Sequence, residues 1–233
     1  MKVRRFCLAR TSVLTVSLLL LSTLLFSCGE DLEGPEVLSF SGVDLLKMEI
    51  ERGDVQVFGS DTAENLSFHR WRSSLTGFAH FEEQRNGAAL EVRSRCESGA
   101  SCRVRYDGSL RRTARLDVEL GQGHLELLRL EGPTSVQVGD GTIRGGSLRG
   151  ERFHARLKKG EGTLYFTRPP RELHLEVGTE ARFTVHLPDV RFRCAFDVEA
   201  EQIAMEKLRC HGLVDEEIKI TPPDGRVRFV IND

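Results

Sequence analysis

Apolar and polar residues alternate with a period of two along most of the chain from residue 43 onward. Val55-Gln-Val57 and Ala89-Leu-Glu-Val92 are short examples, and longer ones cover residues 102–106 and 116–120. This alternation is typical of half-buried β-strands, whereas an amphipathic helix repeats every three to four residues. The pattern therefore predicts an all-β domain. Residues 199–209 have a helix-friendly composition, but their neighbours favour another pair of strands there.

Paired glycines interrupt the alternation at regular intervals. Gly121-Gln-Gly123, Gly139-Asp-Gly141 and Gly160-Glu-Gly162 begin 18 and 21 residues apart, and Gly178 follows 18 residues later. Each pair lies between two alternating apolar sets, and stacking such units buries an apolar side that one unit cannot bury alone. We therefore predict a single-domain β-solenoid with coils of about 20 residues. Its predicted corner glycines are Gly121, Gly123, Gly139, Gly141, Gly160, Gly162 and Gly178.

Both ends of the repeat are less regular than its centre. Two further coils are predicted near the C-terminus, from Phe192 through Met205 and then, as the last coil, from Ile218 through Phe229. Residues 43–71 and 78–106 are typical of longer strands or hairpins, which would cap the open end of the stack. A β-sandwich with regular hairpins is the alternative fold. The even spacing of the glycine pairs favours the solenoid.

The N-terminus has the features of an export signal. A basic segment precedes an uncharged apolar run over residues 11–26, as in a secretory signal peptide. Leu25-Phe26-Ser27-Cys28 resembles the bacterial lipobox, in which the cysteine becomes the lipidated N-terminus, although Phe26 departs from the usual small residue. We predict a signal peptide over residues 1–27, lipidated Cys28 and a tether over 28–42, and the solenoid domain over 43–233. An uncleaved membrane helix is the alternative.

Charge narrows the set of partners. Cleavage after residue 27 removes four of the 33 basic side chains and none of the 35 acidic ones, which leaves a net charge near −6. A negative domain is a poor match for nucleic acid. The predicted location is therefore the bacterial envelope, with palmitate or a similar acyl chain on Cys28 holding the domain at the outer membrane or a periplasmic face.

Four cysteines remain beyond the lipobox: Cys96, Cys102, Cys194 and Cys210. An even number of cysteines in an exported chain indicates disulfide bonds. Cys96 and Cys102 flank a short turn-rich loop, so we predict that they pair locally. Cys194 and Cys210 share the inward phase of their strands, which favours the second disulfide. Two buried thiols are the alternative to that second bond.

The order and spacing of these motifs resemble a bacterial family of exported putative-adhesin β-solenoid domains of unknown function. The likeness rests on residues 51–57, on the three Gly-x-Gly pairs and on Val185-His-Leu-Pro188, and it extends over about residues 45–230. It implies a non-enzymatic domain that presents a rigid surface. The loop between Cys96 and Cys102 and the lipobox are additions to the family pattern.

Candidate metal ligands are few. Asp140 and Glu161, with Gln122, occupy the middle of successive glycine pairs and form at most a small acidic row, whereas a calcium site needs several oxygen ligands. His154 and His174 share the outward phase of adjacent coils, but no third ligand accompanies them in the sequence pattern. No metal site, cofactor or catalytic residue is predicted.

The predicted function is binding without catalysis, directed at an unknown envelope protein or a polysaccharide. Trp71 between cationic neighbours is a candidate contact, although such a residue more often closes a core. Arg168 and Arg171 flank two prolines in a way that suits an anionic sugar, so a glycan lyase or hydrolase on the solenoid is one alternative. A sensory lipoprotein of envelope stress is the other alternative.

Overall fold

The computed structural model describes residues 33–76, 78–98, 101–196, 203–206, 209–210, 217–221 and 225–232, so the predicted signal peptide and Cys28 lie outside the described residues. Within these ranges no helix is long and apolar enough to span a membrane. The strands are β1 (Glu33–Ser41), β2 (Leu45–Ser60), β3 (Asn65–Thr76), β4 (Ala79–Asn86), β5 (Ala89–Cys96), β6 (Ser101–Arg111), β7 (Arg115–Leu128), β8 (Thr134–Leu148), β9 (Arg152–Phe166), β10 (Glu172–Pro188), β11 (Arg191–Phe196), β12 (Ile203–Glu206), β13 (Arg209–Cys210), β14 (Glu217–Thr221) and β15 (Arg226–Asn232).

Five long parallel strands form the centre of the domain, in the order β2, β7, β8, β9 and β10. Leu116 pairs with Thr134, Thr134 with Phe153, and Phe153 with Leu173, so successive coils are 18, 19 and 20 residues long. Parallel strands usually need a crossover of a dozen or more residues, yet only residues 129–133 separate β7 from β8. A short loop suffices because each strand bends around the core and ends near the start of the next coil. The predicted β-solenoid is confirmed.

The bend is visible in the burial of each long strand. In β7, Leu116, Val118 and Leu120 are buried, and the alternation then shifts so that Leu125 and Leu127 are buried instead. β2, β8, β9 and β10 show a similar shift in phase. Both halves of a strand therefore turn their apolar side chains to one core, and each coil presents two outward surfaces.

One column of glycines marks the bends. Gly53, Gly123, Gly141 and Gly160 pair with one another across the stack, and a Cβ atom on any of the last three would overlap the carbonyl oxygen of the glycine before it. Gly123 and Gly141 also have positive φ angles of 141° and 152°, which L side chains rarely adopt. The predicted corner glycines thus lie inside continuous strands. Their aligned spacing is 18 and 19 residues, because Gly141 aligns with Gly160 rather than with Gly162.

Antiparallel strands close the N-terminal end of the stack. β5 and β6 together form one parallel coil, with β5 against residues 45–50 of β2 and β6 against residues 53–60. β4 then pairs antiparallel with β5, β3 with β6, and β1 with β3. Residues 43–71 and 78–106 were predicted to cap the stack, but their strands β2, β5 and β6 belong to the parallel stack itself. The cap consists of β1, β3 and β4. β1 begins at Glu33, which places the described part of the segment predicted as a tether in the sheet.

The C-terminal coils are stacked in the reverse of the predicted order. β14 and β15 pair with β10 on one side, and on the other side with β11 and β12 respectively. The last segment of the chain is therefore inserted next to β10, and the segment before it is outermost. β14 and β15 bury Ile218, Ile220, Val227, Phe229 and Ile231 in the common core, which stabilises the inserted coil.

Both disulfide bonds lie in these terminal coils. Cys96–Cys102 joins β5 to β6 across the loop between them, as predicted. Cys194–Cys210 joins β11 to β13, two parallel neighbours at the outer edge of the stack. The prediction that the four cysteines pair is confirmed. One bond thus closes the loop within the coil next to the N-terminal cap, and the other links two strands at the C-terminal end of the stack.

Candidate functional site

Two outward surfaces run across the stack. We call the outward side chains of the first strand halves the histidine face; its central row is Glu91, Lys47, Asp117, Ser135, His154, His174 and Lys219. We call those of the second halves the tyrosine face; its central row is Asp107, Gln56, Glu126, Arg144, Thr163, Thr184 and Arg228. Because the parallel register is continuous, neighbouring side chains in each row sit about 4.8 Å apart.

A groove of about 360 Å³ crosses the tyrosine face from β7 to β9. Gly146 lines it, at a position of β8 where an added Cβ would meet only the end of the Leu128 side chain. Because this coil has no side chain there, the side chains of its neighbours become walls. The remaining lining residues are Glu126, Arg144, Gly145, Thr163 and Tyr165.

Tyr165 forms an aromatic platform on one wall of this groove. Its side chain is 46% exposed, which is unusual for a large hydrophobic residue in this domain. Its ring stacks on His186 of β10, with centroids 4.0 Å apart and planes inclined by 13°. His186 Nδ1 lies 3.3 Å from Asn232 Oδ1, which holds the imidazole against the tyrosine. His186 therefore covers one face of the Tyr165 ring and supports it, while the opposite face, towards β8, borders the groove; we call this supported ring the Tyr165–His186 platform.

Polar groups surround the platform. Arg144 is exposed and makes no ion pair within the described part of the chain, whereas most arginines of the N-terminal coils have carboxylate partners. Glu126 is its neighbour in the row, and Thr163 follows on the other side. The groove thus combines an aromatic face with a cation, a carboxylate and a hydroxyl.

The histidine face brings His154 and His174 together, as their shared outward phase suggested. They pair across β9 and β10, and their rings stack with centroids 4.5 Å apart. His154 Nε2 also lies 3.1 Å from Glu176 Oε1, and Arg156 Nε lies 3.2 Å from the other oxygen of that carboxylate. Burial, and then the adjacent His154, lower the pKa of His174, so its imidazole is neutral at pH 7.

At the N-terminal end the histidine face is a closed charge network. Lys47 Nζ lies 2.6 Å from Glu49 and 3.0 Å from Glu91, and Arg93 lies 3.0 Å and 2.6 Å from the same two carboxylates. The hydrogen bond that Lys47 donates to Glu49 raises the pKa of Lys47, and the one that it donates to Glu91 lowers the pKa of Glu91. Two cations and two anions satisfy one another, so this region offers little charge to a partner.

The predicted acidic row does not form. Asp140 aligns with Gln122 and Lys159, whereas Glu161 aligns with Thr142. The two carboxylates fall in different rows because the coil register follows Gly141 and Gly160, not the first glycine of each pair.

The other candidate residues lie apart from the groove. Trp71 is half-buried on β3, stacks on His69 with centroids 5.9 Å apart and receives the Arg105 guanidinium 5.2 Å from its ring centre. Arg168 and Arg171 are exposed in the loop before β10, and Arg171 lies 3.9 Å from Glu151.

Sequence reasoning missed Tyr165, His186 and Glu176. Glu176 follows His174 by two residues on a strand, so the period-two rule places both on one face. The Tyr165–His186 pair needs the register of β9 against β10, which depends on the irregularity between Val177 and Glu180. Sequence spacing alone does not reveal that irregularity.

Comparison with known proteins gives a structural likeness only. No known family profile matches the chain, and no curated protein matches it in sequence. Among solved structures, it is similar to a putative cell adhesion protein from Clostridium sporogenes, with a TM-score of 0.40 and 12% identity over 84% of this chain and 98% of that one. The function is therefore inferred from the side chains on the two faces.

Proposed function

We propose that the protein is a non-catalytic envelope protein that binds a polysaccharide in the groove of its tyrosine face. The observation that carries this proposal is the exposed Tyr165 ring, which is supported on one face by His186 and borders the groove over Gly146 with the other. The neighbouring coils hold both rings in place, so binding orders few side chains. Preorganisation of this kind favours affinity because it lowers the entropy lost on binding.

The chemistry of the groove suits a sugar ring. The apolar face of a pyranose presents C–H groups that pack on the negative face of an aromatic ring such as Tyr165. Arg144, Glu126 and Thr163 supply donors and acceptors for the hydroxyl groups at the rim. The groove is open to solvent, so one sugar residue of a longer chain can enter it while the rest of the chain lies over the walls. These features favour a polysaccharide over a small compact ligand.

The number of carboxylates that line the groove favours binding of a polysaccharide over its hydrolysis. Most glycosidases place two carboxyl groups on either side of the bond to be cleaved. Among the described residues that line the groove, Glu126 is the single carboxylate. A lone acidic side chain beside an aromatic platform suits recognition of hydroxyl groups.

The proposed location is the bacterial envelope, with the domain held by a lipid on Cys28. The sequence of residues 25–28 and the preceding apolar run support this anchor. Two disulfide bonds in a chain of this size also support export, because such bonds persist in oxidising compartments. A polysaccharide of the cell surface or of peptidoglycan is then within reach of the groove.

Tyr165→Ala is expected to weaken polysaccharide binding about 30-fold, since an aromatic anchor contributes about 2 kcal/mol to a binding site. The measurement is calorimetric titration of the detergent-purified full chain with chito-oligosaccharides, muropeptides and bacterial exopolysaccharides. Tyr165→Phe retains the ring and is expected to bind within a few-fold of the wild type. Phe78→Ala, which removes an exposed aromatic ring outside the groove, is the matched control. Unchanged affinity in Tyr165→Ala, or no binding of any of these glycans by the wild type, would contradict the proposal.

A further inference from the structure

We propose that His154, His174 and Glu176 form a binding site for a divalent transition metal ion, with Zn²⁺ as the best match. The site lies on the histidine face. It would bind a metal ion, whereas the groove on the tyrosine face is proposed to bind a polysaccharide. The proposal rests on the placement of three ligand atoms by two neighbouring strands, together with the open groove beside them.

The fold brings the three side chains together without a loop. His154 and His174 are directly paired on β9 and β10, and Glu176 lies two residues further along the same face of β10. One ligand atom from each of the three residues lies within 4.8 Å of the other two. In a tetrahedral zinc site, ligand atoms about 2.1 Å from the metal lie ~3.4 Å from one another. The distance of 3.1 Å between His154 Nε2 and Glu176 Oε1 already fits this spacing.

Small side-chain rotations complete the site. The two imidazole rings are now stacked, with planes inclined by 19°, so one ring must turn to aim its nitrogen at a common point. The side chains of His154 and Glu176 are 41% and 29% exposed, which leaves room for that rotation. The backbone needs no change, because the spacing of paired strands sets the separation of the histidines.

The surroundings orient the carboxylate and leave a coordination position free. Arg156 Nε lies 3.2 Å from Glu176 Oε2, which leaves Glu176 Oε1 as the ligand atom, and the proton that it now shares with His154 Nε2 is released when the metal binds. A partner of this kind fixes the ligand in one orientation. The adjoining groove of about 290 Å³ is lined in part by Asp117, Ser135 and Glu172. Water, or a group from a bound partner, therefore has access to the fourth position.

The donor set selects the class of metal. Two imidazoles and one carboxylate suit Zn²⁺, Cu²⁺ or Ni²⁺, whereas Ca²⁺ and Mg²⁺ prefer six or more oxygen ligands. Lys219 follows His174 in the row and adds positive charge, while Glu172 on β10 adds negative charge. Three ligands with an open position give a site of moderate affinity, and Zn²⁺ fits because it accepts tetrahedral coordination readily.

The test is calorimetric titration of ZnCl₂ into the full-length lipoprotein, treated with chelator and purified without a histidine tag. One Zn²⁺ per chain is expected to bind with micromolar affinity. His174→Ala and Glu176→Gln should each weaken binding by about 100-fold or more, since loss of a supporting partner alone costs ~10–100-fold in other sites. His124→Ala, on the tyrosine face, is the matched control and should leave the affinity unchanged.

Two further readouts separate loss of the site from loss of the fold. Circular dichroism should give the same β-sheet spectrum for all variants, and Co²⁺ in place of Zn²⁺ should give the visible absorption of a tetrahedral site. Excess Mg²⁺ should not displace the metal. Absence of Zn²⁺ binding by the wild type, or equal affinity in folded His174→Ala, would overturn the proposal and leave the histidines as a half-buried stacked pair.

Discussion

Gly123→Ala is expected to lower the free energy of unfolding of the whole domain by about 3 kcal/mol or more, because it combines backbone strain with overpacking. The Cβ atom would overlap the Gly53 carbonyl oxygen, and the φ angle of 141° is one that alanine rarely adopts. The clash cannot relax by side-chain rotation, since the opposing atom belongs to the backbone of a paired strand. Such a loss is a large part of the roughly 5–15 kcal/mol that stabilises a typical domain.

Gly146→Ala is the matched control for this experiment. It also replaces a glycine in a long strand, but its Cβ atom would meet only the flexible end of Leu128, and its φ angle is not positive in the unfavourable range. Urea unfolding followed by circular dichroism should show a large fall in the midpoint for Gly123→Ala and a change within about 1 kcal/mol for the control. Equal stabilities would mean that the column of glycines is not what forces the strands to bend.

Arg70→Ala is expected to destabilise the N-terminal cap by about 2–4 kcal/mol, through loss of packing and of the two ion pairs made by a buried guanidinium. The Arg70 side chain is only 7% exposed, yet it pairs with Glu36 of β1 at 2.6 Å and with Glu83 of β4. Its guanidinium also lies 3.9 Å from the centre of the Phe81 ring. The same side chain therefore holds both edge strands to the inward side of β3.

The surroundings of Arg70 make it difficult for another side chain to replace the arginine. Arg70 pairs in register with Tyr106, whose pKa burial raises to about 12, so the phenol stays neutral and gives no negative charge. Arg70→Lys is expected to recover less than half of the loss, because an ammonium lacks the planar fork that reaches two carboxylates. Arg115→Ala removes an exposed ion pair with Asp117 and should cost no more than about 1 kcal/mol.

Hydrogen exchange gives the second readout for Arg70. The amides of β1 are expected to exchange much faster in Arg70→Ala, while those of β8 and β9 keep their protection. Undocking of an edge strand before global unfolding is the behaviour of a local unit of low stability. Uniform acceleration over all strands, or none, would argue against a specific role for Arg70 in the cap.

Much of this fold follows from simple patterns in the sequence. Period-two alternation and paired glycines predict strands that bend and stack, and the loop between Cys96 and Cys102 predicts a local disulfide. The register of the stack is harder to predict from the sequence, because each bend contains two glycines and only one of them has a positive φ angle. Because Gly141 pairs with Gly160, and not with Gly162, Asp140 and Glu161 lie in different rows.

The order of the C-terminal coils depends on energies that local patterns do not contain. β14 and β15 lie between β10 and the strands β11 and β12, so the last coil in the sequence is not the last coil in the stack. The candidate sites depend on the same register. Tyr165 meets His186, and His154 meets His174, only once β9 is aligned with β10. Sequence spacing identified the second pair by its phase and gave no sign of the first.

Hydrogen–deuterium exchange of the full chain, with and without the tightest-binding glycan of the panel, tests most directly whether the tyrosine face is the binding surface. Protection is expected in peptides that cover residues 142–146, 162–166 and 183–188, where the groove and the Tyr165–His186 platform lie. Residues 134–138 and 153–157, on the histidine face of the same strands, should exchange at unchanged rates. Protection of the histidine face alone, or of neither face while the glycan is bound, would contradict the proposed binding surface.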